Sequence, residues 1–120
     1  MRGACILEAK ELATAICAAA SDKKARDIVT MDMTQLTPTC DAFVVCSANT
    51  ATQVRAIADN IEEKLAEAGV SFLHKEGYRE GEWILMDYGD VVAHVFRQET
   101  REYYALEHLW SDAPLTPYED

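Results

Sequence analysis

A chain of 120 residues has the length of one domain, and its 21 Asp+Glu against 11 Lys+Arg set a formal net charge of −10. With 49% apolar and 27% charged residues, the composition is that of a folded globular protein and not of a disordered one. Exposed nucleic-acid backbone and anionic membrane both attract Lys and Arg, which are scarce here, so a macromolecular partner is expected to be basic or locally apolar.

In chain order, residues 4–20 place Ala9, Leu12, Ala13, Ile16, Cys17 and Ala20 on one face at helical spacing. Residues 27–33 alternate Val29, Met31 and Met33 with Thr30 and Asp32, which predicts a strand with one wetter face. After the break at Thr37-Pro38-Thr39, the unbroken run Ala42-Phe43-Val44-Val45-Cys46 predicts a strand buried on both sides. Thr50-Ala51-Thr52-Gln53 fits a capping box, and Val54, Ile57, Ala58, Ile61, Leu65 and Ala68 form the apolar stripe of the helix it opens. Gly69 is suited to the position after that helix, where positive φ is needed.

Residues 70–75 predict a short strand, followed by a loop with Gly77 and Gly81. Residues 83–88 and 91–96 read as the arms of a hairpin closed by Gly89-Asp90, with glycine first as in a type II′ turn. Residues 99–110 carry Tyr103, Leu106, Leu109 and Trp110 at helical spacing, and Pro114 and Pro117 mark a non-helical tail. The order is helix, two strands, helix, three strands, helix. It predicts a single-domain α/β sandwich over residues 1–112, with a mixed five-stranded sheet, flanking helices and a Pro-containing tail at 113–120.

The chemistry-bearing residues form no convincing active site. Asp32, Asp41, Asp87 and Asp90 fall at or near strand ends, where carboxylates can collect a divalent metal, but turn and surface roles weigh more heavily. The segment Cys46-Ser47-Ala48-Asn49-Thr50 lacks the glycine and lysine of a phosphate cradle. His74, His94 and His108 lie on three different elements without metal-ligand spacing. The four cysteines, Cys5, Cys17, Cys40 and Cys46, show no CxxC pair, which favours reduced thiols in a cytoplasmic compartment. No apolar run reaches the roughly 18 to 20 residues of a membrane span, and the N-terminus reads as neither a signal nor a transit peptide. No metal and no cofactor are expected.

The hairpin is the feature that stands out. Strand alternation sends Trp83, Leu85 and Asp87 to one face and Ile84, Met86 and Tyr88 to the other. Either both faces are covered and Trp83 is core, or the Trp–Leu–Asp face stays partly open as a protein-docking surface with aromatic and aliphatic anchors beside a charge.

Several stretches resemble the ribosomal silencing factor family, also called Iojap-like. They are Asp41-Ala42-Phe43-Val44-Val45, Val54-Arg55-Ala56-Ile57-Ala58-Asp59, Glu76-Gly77, Trp83-Ile84-Leu85-Met86-Asp87-Tyr88-Gly89-Asp90-Val91-Val92-Ala93-His94-Val95-Phe96, and Arg101-Glu102-Tyr103-Tyr104-Ala105-Leu106-Glu107-His108-Leu109-Trp110. The likeness runs from about residue 12 to 112 in order and spacing. It implies a nucleotidyltransferase-like fold without transferase activity. It further implies a translation repressor that binds the large ribosomal subunit through ribosomal protein L-fourteen, blocks joining of the small subunit and lowers translation under nutrient limitation.

Carried over by position, the resemblance assigns partner binding to Trp83, Leu85, Asp87, Tyr88, Asp90 and His94, with Glu76 and Gly77 in the loop before them. Trp83 and Leu85 would supply apolar contact, Asp87 and Asp90 would meet Lys or Arg, and Arg101 and Tyr104 would pack beneath the hairpin. Ala93 departs from the branched apolar residue usual in the family. Direct binding of naked nucleic acid and of membrane is not expected, and the open hairpin face leaves room for a homodimer off the ribosome. Two other readings compete: a large-subunit assembly factor, and a metal-dependent nucleotidyltransferase using Asp32, Asp41 and Asp87.

Overall fold

The computed structural model describes residues 8–118. Its elements are α1 (Ala9–Asp22), β1 (Arg26–Asp32), β2 (Ala42–Ala48), α2 (Ala51–Glu67), β3 (His74–Glu76), β4 (Trp83–Asp87), β5 (Val91–Arg97), α3 (Gln98–Tyr104), α4 (Leu106–Leu109) and β6 (Leu115–Pro117). The sheet runs β3-β4-β5-β2-β1-β6; β2 and β5 are parallel and every other pairing is antiparallel. It is the mixed α/β sandwich that the element order predicts, with six strands in place of five. Residues 4–7 and Cys5, placed by the sequence in or beside the first helix, lie outside the described residues.

The sixth strand comes from the tail. Leu115 and Thr116 pair with Met31 and Thr30 on the free edge of β1, and Asp32 N–H donates to the Pro114 carbonyl at 2.9 Å. Proline bars a segment from helix and from a sheet's interior, but an edge strand tolerates it where no ladder N–H is needed. The tail at 113–120 is therefore continuous with the domain through residue 118.

One face of the sheet is closed by α1 and α2. Leu12, Ile16, Ile57, Ile61 and Leu65 pack there against Val44, Cys46, Ile84, Met86 and Val95 in the larger apolar cluster. Thr50 accepts from the Gln53 amide at 3.1 Å, as a cap should, but the Gln53 side chain does not return to Thr50. It donates instead to the carbonyls of Lys23 and Lys24, tying the turn after α1 to the start of α2. At the other end Gly69 takes φ +83° and Val70 N–H reaches back to the Leu65 carbonyl at 2.8 Å, which closes the helix.

The opposite face is covered only in part. The helix predicted over 99–110 is broken at Ala105, which sits in the left-handed region at φ 46°, ψ 59°. Beyond that bend α4 and its C-cap lay Leu106 and Trp110 over Met31, Met33, Val45 and Phe96, the centre of a smaller cluster. Arg101, buried in the crook, holds the bend. Its Nη2 and Nε donate to Glu107 Oε2 at 2.6 and 3.2 Å, and its Nη1 donates to Ser47 Oγ at 3.0 Å.

Candidate protein-docking face

The open part of that second face is built on β4, whose burial alternates with its side chains. Ile84 and Met86 are fully enclosed beneath the helices, while Trp83, Leu85 and Asp87 are half-buried. Register brings their neighbours alongside: Trp83 faces Phe96, Leu85 faces His94, and Asp87 faces Val92 on β5. Phe43 on β2 lies opposite Val92 and adds a further half-buried ring. On the outer side, β3 places Glu76 opposite Leu85 and His74 opposite Asp87. Paired residues share a face, so an acid and a histidine in contact with each other rim the apolar row.

Trp83 is held on three sides. Its ring stacks on Phe96 at 4.9 Å, Tyr104 packs on it at 4.9 Å, and its indole N–H donates to His94 Nδ1 at 3.0 Å. His94 is 4% exposed, and desolvation pulls its pKa down to about 4. The ring is therefore neutral near pH 7, with Nδ1 as the acceptor and the proton on Nε2. Trp83 thus belongs to both sequence readings at once. One flank is core, and its remaining edge opens to solvent with Leu85.

Asp87 Oδ1 accepts from Gly89 N–H at 2.7 Å, which caps the hairpin turn. The Asp90 carbonyl accepts from the amides of Asp41 and Ala42 at 2.7 and 3.2 Å, anchoring that turn to the start of β2. Gly77 has φ +82°, and a Cβ there would lie 2.0 Å from the Trp83 carbonyl oxygen. Its role in this geometry is to let the loop pass directly over β4.

Two of the eight proposed contact residues are placed differently from the sequence expectation. Tyr88 is 6% exposed and belongs to the cluster beneath α2, on the opposite side of the sheet. The two-residue period of β4 puts it with Ile84 and Met86, so it is no part of the candidate docking face. His94 does lie on the right face, but buried, where it orients Trp83 and offers no surface of its own. Conversely, Phe43 and Trp110 pack with Trp83 and Leu85 on this face, which the strand alternation of the hairpin does not predict. Finding Phe43 requires knowing that β2 neighbours β5, a pairing across some fifty residues that local periodicity does not report.

Of the three candidate metal carboxylates, Asp32 and Asp41 line one hollow beside α1, and Asp87 does not join them. Asp32 pairs across β2 and β5 with residues facing α1 and α2, while Asp87 faces the other way. The Asp32 carboxylate is engaged by Thr34, whose hydroxyl and amide donate at 2.6 and 3.0 Å. Among the described residues no group of three His, Cys, Asp or Glu stands close enough to hold a metal ion. Cys17, Cys40 and Cys46 are buried with free thiols. Burial raises the pKa of each, that of Cys46 to about 12, which is the reverse of what a nucleophilic thiolate needs. No described helix is long and apolar enough to cross a membrane.

The sequence profile described as "Ribosomal silencing factor during starvation" matches residues 6–120. The chain belongs to the ribosomal silencing factor family. It is 43% identical to the ribosomal silencing factor RsfS of Bacillus subtilis over 88% of this chain and 90% of that protein. It is 30% identical to the chloroplastic Iojap protein of Zea mays, of which it covers 48%. A crystal structure of a Chromobacterium violaceum protein superposes with a TM-score of 0.85 at 38% identity, covering 88% of each chain. The family match extends through the tail, in keeping with β6 as part of the domain. Translation regulation is the role that the family name carries.

Proposed function

We propose that this chain represses translation by docking the open sheet face on ribosomal protein L-fourteen of the large subunit, where its bulk blocks joining of the small subunit when nutrients are scarce. The reading makes it a cytoplasmic binding protein and not an enzyme. The observation that carries it is the half-buried row Trp83–Leu85–Asp87. A large anchor is locked in place by Phe96, Tyr104 and His94, an aliphatic contact lies beside it, and carboxylates stand at the margin. A preordered anchor loses little side-chain entropy on binding, as expected of the few residues that dominate an interface. The contact is with protein and not naked RNA, since a net charge of −10 is repelled by phosphate. The same face is free to pair with a second copy off the ribosome.

The test is a purified subunit-joining assay with Leu85→Ala and Asp87→Asn beside wild type. Leu85 is half-buried at the margin of its cluster, and asparagine retains an acceptor for Gly89 N–H, so both variants should fold. Each should need about tenfold more protein to block joining, the factor that corresponds to roughly 1.4 kcal/mol. Wild-type protein that leaves joining untouched disproves the function; variants as potent as wild type disprove the interface.

A further inference from the structure

At the end of the docking face, the loop between β3 and β4 and the outer side of α3 enclose an open cleft of about 550 Å³. Trp83, Tyr103 and Tyr104 line it with three aromatic rings, and Glu80, Glu82 and Glu99 line it with three carboxylates. Tyr103 is 82% exposed and Tyr104 49%, and their rings meet edge to face at 5.0 Å. Tyr104 in turn lies on Trp83, so the rings form a continuous wall from the sheet face out to solvent.

The carboxylates outnumber the cations that answer them. Arg97 serves two of them, donating from Nε to Glu82 at 2.8 Å and from Nη1 to Glu99 at 2.7 Å. Thr100 adds a second hydrogen bond to the same Glu82 oxygen at 2.8 Å. Glu80 makes no hydrogen bond or ion pair with the described residues. Arg79, next to it, does not line the cleft; its carbonyl accepts from Arg55. Three carboxylates against one guanidinium leave an unanswered negative charge over exposed aromatic faces.

We propose that this cleft receives an arginine side chain of the basic protein on which the neighbouring sheet face docks. A guanidinium is flat and weakly hydrated, so it can lie on a tyrosine ring while its edge N–H groups reach carboxylate oxygens. A lysine ammonium is a compact, strongly hydrated point charge and matches only the second half of that arrangement. The cleft is continuous with the docking face through Trp83, so one partner can fill both. The inference rests on the docking reading for the identity of its partner, and on the cleft itself for the chemistry.

The experiment has two arms. In the first, ¹⁵N-labelled protein is titrated with capped Gly-Arg-Gly, Gly-Lys-Gly and Gly-Glu-Gly peptides at low salt. The arginine peptide should shift the Trp83 indole N–H and the amides of Gly77, Thr100 and Tyr103, and bind about threefold or more tightly than the lysine peptide. The glutamate peptide should shift nothing. Tyr103→Ala and Glu80→Gln, both at exposed positions, should each weaken arginine-peptide binding about threefold with the rest of the spectrum unchanged. An arginine peptide that leaves the cleft resonances in place, or binds Tyr103→Ala as it binds wild type, overturns the proposal.

In the second arm, wild type and Tyr103→Ala are sedimented with large ribosomal subunits, and the variant should bind several-fold more weakly. Equal affinity of the two overturns the proposal even if the peptide binds, because the partner's arginine then lies elsewhere. Wild-type protein that fails to bind subunits overturns the docking reading instead, and a positive peptide titration would still support arginine recognition by the cleft.

Discussion

His94 shows how one side chain can look like a contact and work as a support. It sits among proposed contact residues in the sequence, yet its ring is buried and neutral, and its Nδ1 lone pair fixes the Trp83 indole. Its folded pKa of about 4 is depressed below the ordinary 6.5, so folding favours the neutral ring. Its contribution is complete above pH 6.5 and is lost as pH falls from there through 4, amounting to about 3 kcal/mol at most. Urea unfolding at pH 7 and pH 4.5 should therefore show a loss about 2 kcal/mol larger in wild type than in His94→Phe. An equal loss in both would mean that His94 titrates normally. Gly77 is a second support. Gly77→Ala forces a Cβ onto the Trp83 carbonyl at positive φ and should cost 2 kcal/mol or more in the same measurement. Neither role was legible from residue type alone: a histidine on a strand is equally a ligand, a contact or a core residue, and only its neighbours on β4 decide.

At the level of elements, the patterns with a strong local cause were legible. The stripe from Val54 to Leu65 with its Thr50 cap, the doubly buried run of β2 and the glycine-first hairpin all appear where periodicity and turn chemistry place them, whereas burial along β1 does not alternate, since Ile28 is buried and Thr30 meets Cys17 of α1. What escaped depends on distant partners. Helical spacing continues through residue 105, and nothing local announces a bend, since alanine is a good helix former. The bend exists because Arg101 finds Ser47 and Glu107, and because Leu106 and Trp110 find the sheet. Left-handed alanine costs about 1 kcal/mol or more, which tertiary contacts offset. Ala105→Gly should relieve that strain and, after glycine's larger unfolded-state entropy, raise stability by about 0.5 kcal/mol. A thermal melt showing destabilisation by as much would argue against a strained hinge. β6 has no local signature for a related reason, because edge pairing with β1 is decided by which edge is vacant.

For the molecule as a whole, the question is which of its 21 acids matter, since net charge alone does not say. Glu62 pairs with Lys75 on the helix side of the sheet, and Glu63 and Glu67 are exposed on the same helix, whereas Glu76 and Glu80 flank the proposed docking face and its cleft. The shortest dimension of the molecule is 27 Å, while charges are screened over about 8 Å at physiological salt. Acids on the far side are therefore nearly invisible to a partner on the sheet face, although they count equally toward the total. The double reversals Glu63→Lys with Glu67→Lys and Glu76→Lys with Glu80→Lys each move the formal charge from −10 to −6, two units per reversal. If steering is local, the second pair should slow association with large subunits about tenfold at low salt and the first pair hardly at all. The gap should close as salt rises toward 0.5 M or so, where the screening length falls to a few ångströms. Equal slowing by both pairs in stopped-flow measurements would show that total charge, and not its placement on this face, guides the encounter.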